Sequence, residues 1–383
     1  MSPAPRRILF IIRSLGVGGA ERQLVLLASG LHALGWDVTV CTTYADGPLE
    51  PELAQRGVRV VALEKSGRWD LLGPARRLHR AVREARPDVI HGYMPTSNLL
   101  SLLARRAHPA ARVVWGVRAS GLDWAQYDGL ARRAFAASAR LARRADLIIA
   151  NSHEGARWHV EAGYPAGRLV VIPNGIDAAW FTPDAAARTR QRAAWGAGAG
   201  TLLIGLVGRI DPMKDHATFL RAAALLRDDP RDMRFVCVGD GDPSLAERLR
   251  ALATELGIAP RVRWEPARLD PRDAYRALDI LTSASRYGEG FPNVVGEAMA
   301  CGVACVVTRC GDAPHLVGET GLVVPPGDPE ALAGAWRALA AGDRSRLGGA
   351  ARARVVAEFS AERLVQRTAT ALAALLEGDG RRS

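Results

Sequence analysis

The sequence predicts an α/β protein built from two doubly wound, Rossmann-like parallel sheets. Short apolar runs alternate with helical stretches along the whole chain, as in folds that cover a parallel sheet with helices. The alternation breaks once, near residues 177–200. The 383 residues are enough for two domains at roughly 100–200 residues each. Because such sheets bind ligands at the carboxyl ends of their strands, we expect the two sheets to face a central cleft.

The N-terminal half contains seven predicted strands, separated by helical patterns such as 20–34 and 71–85. The strands are the apolar runs 8–12, 38–41, 58–62, 89–91, 113–117, 147–150 and 169–172.

A linker separates the two halves, and a second series of strands follows it. Pro183, Gly196, Gly198 and Gly200 mark this linker, which includes a short arginine-rich helix. The domains are therefore expected at residues 1–180 and 181–360. The strands of the second domain are predicted at 202–207, 235–238, 262–264, 280–283, 305–308 and 321–324.

Composition and hydropathy are those of an ordinary globular protein, with 48% hydrophobic and 24% charged residues. No apolar run approaches the roughly 18–20 residues that span a bilayer. Arg13 ends the first apolar run, 8–12, too early for a signal-peptide core, so that run is expected to be a strand. These features predict a cytoplasmic location.

The positive charge is concentrated in the N-terminal half. Residues 1–175 hold 24 Lys and Arg against 14 Asp and Glu, a net of +10 out of the formal +11. Arginines on helices with apolar stripes can bind anionic lipid headgroups, or can simply form a solvated surface. No nucleic-acid recognition motif accompanies them, so no nucleic-acid partner is expected. The arginines concerned are Arg76, Arg77, Arg80, Arg83 and Arg86, then Arg132, Arg133, Arg140, Arg143 and Arg144.

The five cysteines do not form a disulfide framework, because they are odd in number and scattered over a long chain. Cys301, Cys305 and Cys310 lie close in sequence, but no histidine stands among them at ligand spacing. We expect these thiols to be small buried apolar groups and predict no metal site.

The first candidate ligand-binding motif is LGVGGAER (15–22), directly after the first predicted strand. Gly18 and Gly19 let the backbone approach a ligand, and the helix that follows presents free N–H groups. The spacing lacks the full dinucleotide-binding pattern. A tight structural turn is the alternative.

The second motif is GRIDPMKD (208–215), which follows the first strand of the second domain. Arg209 and Lys214 place two cations at a carboxyl edge, where they suit a diphosphate. In transfer from a nucleotide sugar the leaving diphosphate gains negative charge, and fixed cations stabilise it without a metal ion. Surface charge is the alternative.

The third motif is GEGFPNVVGEAMACG (288–302). Pro292 suits the first turn of a helix, which places Glu289 in the preceding loop and Glu297 inside the helix. Carboxylates that accept hydrogen bonds from vicinal hydroxyls commonly hold a ribose. An acid–base pair of the glycosidase kind would also use two carboxylates. The backbone amides expected to donate to the ligand are those of Phe291, Pro292, Asn293 and Val294.

Together these motifs, with PNGID (173–177), resemble the retaining group 1 glycosyltransferases of family 4 type and GT-B architecture, in particular bacterial exopolysaccharide-building members. The resemblance covers nearly the whole chain. It implies an N-terminal domain that binds the acceptor and a C-terminal domain that binds a UDP- or GDP-sugar. It also implies a final helix, 361–383, that packs back on the N-terminal domain, and a reaction that needs no metal or other cofactor.

The resemblance also assigns roles to individual residues. Glu289 matches the glutamate that contacts the donor sugar near the reacting centre, and Glu297 matches the one that binds the ribose. Arg209 and Lys214 match the diphosphate-binding pair. The remaining matches are the glycine loop with Gly18 and Gly19, which closes over the donor; His91, which touches the donor sugar; and the acceptor-side loop with Arg118 and Asp123.

These features predict an enzyme that transfers a hexosyl group with retention to a hydroxyl of a glycan or a lipid-linked glycan. No nucleophile is evident, so the leaving phosphate would deprotonate the acceptor on the same face of the sugar. A pyridoxal-phosphate phosphorylase is disfavoured because Lys65 and Lys214 are the only lysines. An epimerase or another two-Rossmann nucleotide-sugar enzyme, and a non-catalytic nucleotide-sugar-binding relative, stay open.

Overall fold

The computed structural model describes residues 5–67, 69–121 and 129–378. The chain folds as two compact units. One unit comprises Met1–Gly175 with Ala361–Ser383, and the other comprises Ile176–Ser360. Each unit is built on one parallel sheet with helices between the strands.

The first unit has a seven-stranded parallel sheet in the order β3-β2-β1-β4-β5-β6-β7. Its strands are β1 (Arg7–Ile12), β2 (Asp37–Thr42), β3 (Arg59–Ala62), β4 (Val89–Tyr93), β5 (Arg112–Val117), β6 (Leu147–Ala150) and β7 (Leu169–Val171). Its helices up to this point are α1 (Gly19–Ala33), α2 (Glu50–Gln55), α3 (Leu72–Ala85), α4 (Met94–Ala104), α5 (Gly129–Leu141) and α6 (His153–Glu161).

The second unit has a six-stranded parallel sheet in the order β10-β9-β8-β11-β12-β13. Its strands are β8 (Leu202–Val207), β9 (Met233–Val238), β10 (Val262–Glu265), β11 (Ile280–Ser283), β12 (Ala304–Thr308) and β13 (Gly321–Val324). Its helices are α7 (Ala185–Ala194), α8 (His216–Ala224), α9 (Pro243–Glu255), α10 (Arg272–Ala277), α11 (Asn293–Ala300), α12 (Ala313–Val317), α13 (Pro329–Ala341) and α14 (Arg344–Glu358).

These sheets confirm the predicted fold class. All thirteen predicted strands are present, and four of them have the predicted bounds. The central strands are buried along nearly their whole length. Continuous burial follows from the architecture, because helices cover both faces of a doubly wound sheet and leave no polar face to alternate with the apolar one. This is why the strands stood out in the sequence as short unbroken apolar runs.

The final helix, α15 (Ala361–Glu377), completes the first unit. Its residues Leu364 and Leu372 are buried in the same apolar core as α1. Gly30 of α1 makes this packing close, since a Cβ there would lie 2.3 Å from a methyl group of Val365. An ion pair of 2.9 Å between Arg6 and Glu377 joins the end of the helix to the start of β1.

The second unit begins five residues earlier than the predicted residue 181. The backbone N–H of Ile176 donates to the carbonyl of Phe359, 2.8 Å away. Its side chain is buried in the core of the second unit. The segment 176–180 therefore packs with the second unit, although its sequence continues directly from the PNGID motif.

The linker helix α7 is fastened to the second sheet by an arginine–aspartate network. Asp279 accepts from Arg188 at 2.6 Å and from Arg192 at 2.9 Å, and its carboxylate also accepts from the backbone N–H of Leu203 at 2.8 Å. Arg188 donates to the carbonyl of Leu278 as well, at 2.7 Å. The arginines that marked this segment in the sequence thus hold α7 to the strands β8 and β11 by ion pairs and hydrogen bonds.

The cysteine prediction is confirmed, since all five thiols are buried and unpaired. Within the described part of the chain, no helix is long and apolar enough to cross a membrane. The described residues also contain no group of three or more histidine, cysteine, aspartate or glutamate side chains placed to hold a metal ion.

Candidate functional site

The second unit gathers chemistry-bearing side chains where its strand order reverses, at the carboxyl ends of β8 and β11. These strands are neighbours in the sheet although three helices and two strands separate them in sequence. The loops that follow them meet there: the backbone N–H of Arg286 donates to the carbonyl of Met213 at 2.9 Å. Ligands of open α/β sheets bind at such reversal points, because the two loops diverge and leave a crevice.

A buried ion pair joins the two loops. The ammonium group of Lys214 contacts Oε1 of Glu289. The same oxygen accepts from the hydroxyl of Ser285, 2.7 Å away. The structure therefore brings together one cation from the second sequence motif and one carboxylate from the third, across 75 residues of chain.

The surroundings of Glu289 keep it ionised. Burial by itself raises the pKa of this carboxyl group. The charge of Lys214, the hydrogen bonds from Lys214 and Ser285, and the charge of Arg209 outweigh burial and hold the pKa below its ordinary value. An ionised Glu289 can accept hydrogen bonds or stabilise positive charge, but it is not a proton donor near neutral pH.

Two glycines let the loop of Glu289 approach its neighbours. Gly288 has φ 79°, and a Cβ there would lie 2.6 Å from the sulfur of Met213. Gly311, in the loop after β12, has φ 55°, and a Cβ there would lie 2.3 Å from the carbonyl oxygen of Glu289. Both positions need left-handed backbone and lack room for a side chain, so only glycine fits without a shift.

Arg209 extends from the same edge into solvent. Its side chain is 68% exposed and lies 3.3 Å from the carboxylate of Asp211. Asp211 also caps the single helical turn that carries Lys214, by accepting from the N–H of Met213 at 2.9 Å. Arg209 and Lys214 therefore flank one short turn, with the arginine reaching outward and the lysine directed inward to Glu289.

Helix α11 begins beside this pair and carries the second carboxylate. It begins at Asn293, so Pro292 precedes its first residue rather than lying in its first turn. Proline has no N–H and cannot donate to a ligand, which corrects the inclusion of Pro292 among the donating amides. The backbone N–H groups in the predicted set are those of Phe291, Asn293 and Val294, the last two in the first turn of the helix.

Glu297 lies in the fifth position of α11 and is buried. The hydroxyl of Tyr275 donates to its Oε2 at 2.6 Å. Tyr275 belongs to α10 and is itself fully buried, so the carboxylate is held in one orientation by a rigid partner. A hydrogen bond to a carboxylate is stronger than one between neutral groups, and this bond fixes where Glu297 can accept from a ligand.

This arrangement suits an extended anionic ligand with hydroxyl groups. Two cations and the N-terminus of a helix favour phosphate oxygens. Two buried carboxylates, each held by a hydrogen bond, favour hydroxyl donors. The second unit thus places Lys214 and Glu289 in contact, with Arg209 on the loop that also carries Lys214 and Glu297 on the helix that follows Glu289.

The remaining predicted residues lie in the first unit, at the carboxyl edge of its sheet. Gly18 precedes the first residue of α1, Gly19. A Cβ on Gly18 would lie 2.0 Å from a carboxylate oxygen of Glu21, which folds back over the helix start. The glycine loop therefore has the geometry of a helix N-terminus next to strand β1, the strand at which this sheet reverses its order.

His91 is fully buried in β4, and neither of its ring nitrogens has a hydrogen-bond partner among the described residues. Its ring packs between those of Phe10 and Tyr93, at centroid distances of 5.2 and 5.0 Å. Burial, and secondarily the charge of Arg118, lower the pKa of His91 well below its ordinary value, so the ring is neutral. The ring has no surface exposed to solvent in this arrangement, and its contact with a donor sugar stays a prediction.

Buried neutral histidines make stability depend on pH. The pKa values of His159 and His216 are lowered to about 4 by burial, and that of His91 is lowered as well. Below about pH 6.5 these histidines are protonated in the unfolded chain but stay neutral in the native protein. The free energy of unfolding therefore falls as the pH falls.

We expect a loss of about 2 kcal/mol for each of His159 and His216 between about pH 7 and about pH 5, and a further loss from His91. Urea unfolding followed by circular dichroism at both pH values measures it. His216→Asn should reduce the loss, and an unfolding free energy that does not change over this range would contradict the prediction.

Arg118 is tied to the PNGID motif. It donates to the side-chain oxygen of Asn174 at 3.0 Å, and its guanidinium carbon lies 4.3 Å above the ring centre of Tyr93. The stacked and hydrogen-bonded arginine sits at the same sheet edge as the glycine loop. Asp123, the other residue predicted for the acceptor side, lies outside the described residues.

Sequence reasoning missed the residues that hold the predicted ones in place. Tyr275 and Ser285 orient the two glutamates. Gln23 pairs with Gly175 of the PNGID motif through two hydrogen bonds, donating to its carbonyl at 2.7 Å and accepting from its N–H at 2.9 Å. None of them has a local sequence signal, except that Gln23 is a polar residue on the largely apolar, buried face of α1.

Comparison with known proteins identifies related families for both units. Residues 17–180 match the family model described as Glycosyltransferase Family 4, and residues 201–341 match the model described as Glycosyl transferases group 1. The two matches cover the glycine loop, His91, Arg118 and all the site residues of the second unit.

Individual relatives and solved structures agree with these matches. A D-inositol 3-phosphate glycosyltransferase of Corynebacterium jeikeium is 38% identical over 216 residues, which are 53% of this chain and 51% of that protein. The chain thus spans about half the length of the first curated relatives that it matches. The putative glycosyltransferase EpsF of Bacillus subtilis is 27% identical over 80% of both chains. The crystal structure of Anabaena HepE in complex with UDP and glucose superposes with a TM-score of 0.85 at 24% identity, over 96% of this chain and 99% of that one.

Proposed function

Because the chain has the fold of the group 1, family 4-type glycosyltransferases, we propose that it transfers a hexosyl group from a UDP- or GDP-sugar to a hydroxyl of a glycan or lipid-linked glycan. The observation that carries the proposal is the contact between Lys214 and Glu289 at the carboxyl edge of the second sheet. It places a fixed cation beside an ionised carboxylate, with Arg209 reaching out from the same turn.

In the proposed reaction Lys214 and Arg209 bind the diphosphate of the donor. The bond between the anomeric carbon and the phosphate oxygen breaks, and both cations stabilise the charge that the leaving group gains. Glu289 faces the donor sugar, and Glu297 accepts from the ribose hydroxyls. The N–H groups at the start of α11, among Phe291, Asn293 and Val294, contribute further donors.

We propose that the reaction retains the anomeric configuration and needs no metal ion or other cofactor. The acceptor oxygen bonds to the anomeric carbon on the face that the phosphate leaves, and its proton passes to a leaving phosphate oxygen. Two observations support this proposal: the ionised state of Glu289, which fits charge stabilisation, and the cations, which supply the charge that a metal would otherwise provide.

The first unit is proposed to bind the acceptor. Arg118 offers a positive charge at its sheet edge, held by Asn174 and Tyr93. Gly18 and Gly19 are proposed to close over the donor, and His91 to position it once its ring is uncovered. We propose that the acceptor belongs to polysaccharide biosynthesis and that the protein works at the cytoplasmic face of a membrane.

A panel of UDP- and GDP-sugars tests the function. We expect slow release of UDP or GDP from one donor without acceptor, and faster release with a glycan acceptor. Thermal shift with free UDP and GDP on the same samples should show stabilisation by one nucleotide, because a ligand that binds only the native state raises its stability. Binding without release would favour a non-catalytic relative, and a changed sugar without release would favour an epimerase. If neither nucleotide binds, the proposal fails.

Tyr275→Phe should weaken nucleotide binding up to about tenfold, because Glu297 loses the partner that orients it. Calorimetric titration with the cognate nucleotide measures the effect. The matched comparison is the same titration with a nucleotide that lacks both ribose hydroxyls, for which wild type and variant should bind alike. An equal loss for both nucleotides would mean that Tyr275 acts on the fold and not on ribose binding.

A further inference from the structure

The turn between β3 and α3 exposes three large apolar side chains within four residues. Trp69 is 85% exposed, Leu71 63% and Leu72 74%. Elsewhere in the described chain, exposed large apolar residues occur singly. Isolated exposed leucines are ordinary, but a cluster of this kind marks a surface that is covered when the protein works.

The turn is held in shape while it presents these side chains to solvent. The ammonium group of Lys65 donates to the carbonyl of Asp70 at 2.6 Å. The carboxylate of Asp70 accepts from the N–H of Ser66 at 3.0 Å and from its hydroxyl at 3.1 Å. Trp69, Leu71 and Leu72 therefore extend into solvent from a hydrogen-bonded turn and do not pack in the core.

Helix α3 continues this surface with positive charge. Its buried residues are Pro74, Leu78, Ala81 and Val82, which face the sheet. Leu72, Arg76, Arg80 and Arg83 follow one another at intervals of four, four and three residues, so they form one stripe on the opposite, exposed face.

The arginines of this stripe are available to a partner. Arg77, beside the stripe, is engaged by Glu64 at 2.8 Å and by the carbonyl of Leu63 at 3.1 Å. For Arg76, Arg80 and Arg83, by contrast, the described residues provide no ion pair. An exposed tryptophan and two leucines followed by free guanidinium groups match a bilayer interface, where the rings lie at headgroup depth and the cations meet anionic lipids.

We propose that Trp69, Leu71, Leu72 and the exposed stripe of α3 form a docking surface for an anionic phospholipid bilayer. The turn follows β3 at the carboxyl edge of the first sheet, the edge that also carries the glycine loop and the end of β4. Docking there brings the lipid surface beside the edge proposed to bind the acceptor. The docking itself does not require the proposed transfer reaction, so it is measured without nucleotide sugar.

The test is co-sedimentation of the full chain with two kinds of vesicle, phosphatidylcholine alone and an equal mixture of phosphatidylcholine and phosphatidylglycerol. We expect binding to the mixed vesicles, little binding to the neutral ones, and weaker binding as salt is raised. If the wild-type chain binds neither kind of vesicle, or binds both equally, the proposal is overturned, and a protein partner becomes the better occupant.

Two triple variants separate the apolar and charged contributions. Arg76→Gln, Arg80→Gln and Arg83→Gln together should lower the vesicle partition coefficient roughly a hundredfold, at about fivefold for each arginine. Trp69→Ser, Leu71→Ser and Leu72→Ser together should lower it at least about tenfold. Because all six side chains are exposed, the urea midpoints should stay at the wild-type value.

The matched control removes the same charge from the other arginine cluster of the first unit. Arg133→Gln, Arg140→Gln and Arg144→Gln together change the net charge by the same amount. This control should keep most of the wild-type binding. An equal loss in the control would show that binding follows net charge alone, and binding left unchanged by both test variants would likewise overturn the assigned surface.

Discussion

Lys214→Ala is expected to lower the rate of sugar transfer about a thousandfold. Lys214 is one of two lysines in the chain and the one whose ammonium group lies at the sheet reversal beside Glu289. Removal of one fixed group that stabilises developing negative charge typically costs about two to three orders of magnitude in rate, or roughly 4 kcal/mol at the upper end. We expect the upper end because Arg209, the remaining cation of the proposed pair, is exposed to solvent.

The same substitution also leaves Glu289 buried without its cation. The pKa of Glu289 should rise, because burial already opposes its ionisation and the charge of Lys214 is the main influence that offsets burial. Part of any loss of activity would then come from a destabilised fold. The double variant Lys214→Ala with Glu289→Gln separates the two effects, because it removes the unpaired charge while keeping the catalytic defect.

The measurement is release of UDP or GDP from the donor found in the panel, together with thermal unfolding of each variant. We expect the single variant to be both slow and less stable, and the double variant to be slow but close to wild type in stability. Arg227→Ala, which removes an exposed cation of the same unit, is the matched control and should be unaffected. A single variant that keeps more than about a tenth of the wild-type rate would exclude Lys214 from the proposed role.

Asp279→Ala should destabilise the second unit by about 3–5 kcal/mol. One carboxylate joins two arginines of α7 to the backbone of β8, at distances of 2.6, 2.9 and 2.8 Å. Arg192 is buried, so removal of Asp279 leaves a positive charge inside the protein without its counter-ion. Breaking a buried pair from one side costs more than the pair contributes, because the remaining ion was already taken out of water.

Thermal unfolding followed by circular dichroism should show a fall of roughly 10 °C in the transition of the second unit. Asp228→Ala, which removes an 88% exposed partner of Arg227, should shift the transition by no more than about 2 °C. The triple variant Arg188→Met, Arg192→Met and Asp279→Leu removes all the charges together and should recover much of the loss. If Asp279→Ala unfolds like Asp228→Ala, the network does not fasten α7.

Local patterns predicted the fold because the strands of a doubly wound sheet are buried on both faces. The runs 147–150, 202–207, 280–283 and 321–324 have the same bounds in sequence and structure. The same patterns located the loops after β1 and β8 and the start of α11, because glycine and proline mark the ends of strands and helices locally. The resemblance to a family attached roles to these positions, and those roles stay predictions.

Contacts between distant segments decided the geometry of the candidate site and the boundary between the two units. Three features depend on which strands lie side by side. They are the contacts of Glu289 with Lys214 and Ser285, the hydrogen bond from Tyr275 to Glu297, and the burial of His91. The start of the second unit at Ile176 depends likewise on a hydrogen bond to Phe359 near the other end of the chain.

The sequence by itself therefore determined the order of strands and helices and the residue types available at each strand end, because burial and turn formation are local properties. Only the tertiary structure decided which charges meet, which ones stay ionised and which side chains reach solvent. Electrostatic energy and desolvation depend on distances in space, and residues 75 apart in sequence, such as Lys214 and Glu289, acquire a distance only when the sheet forms.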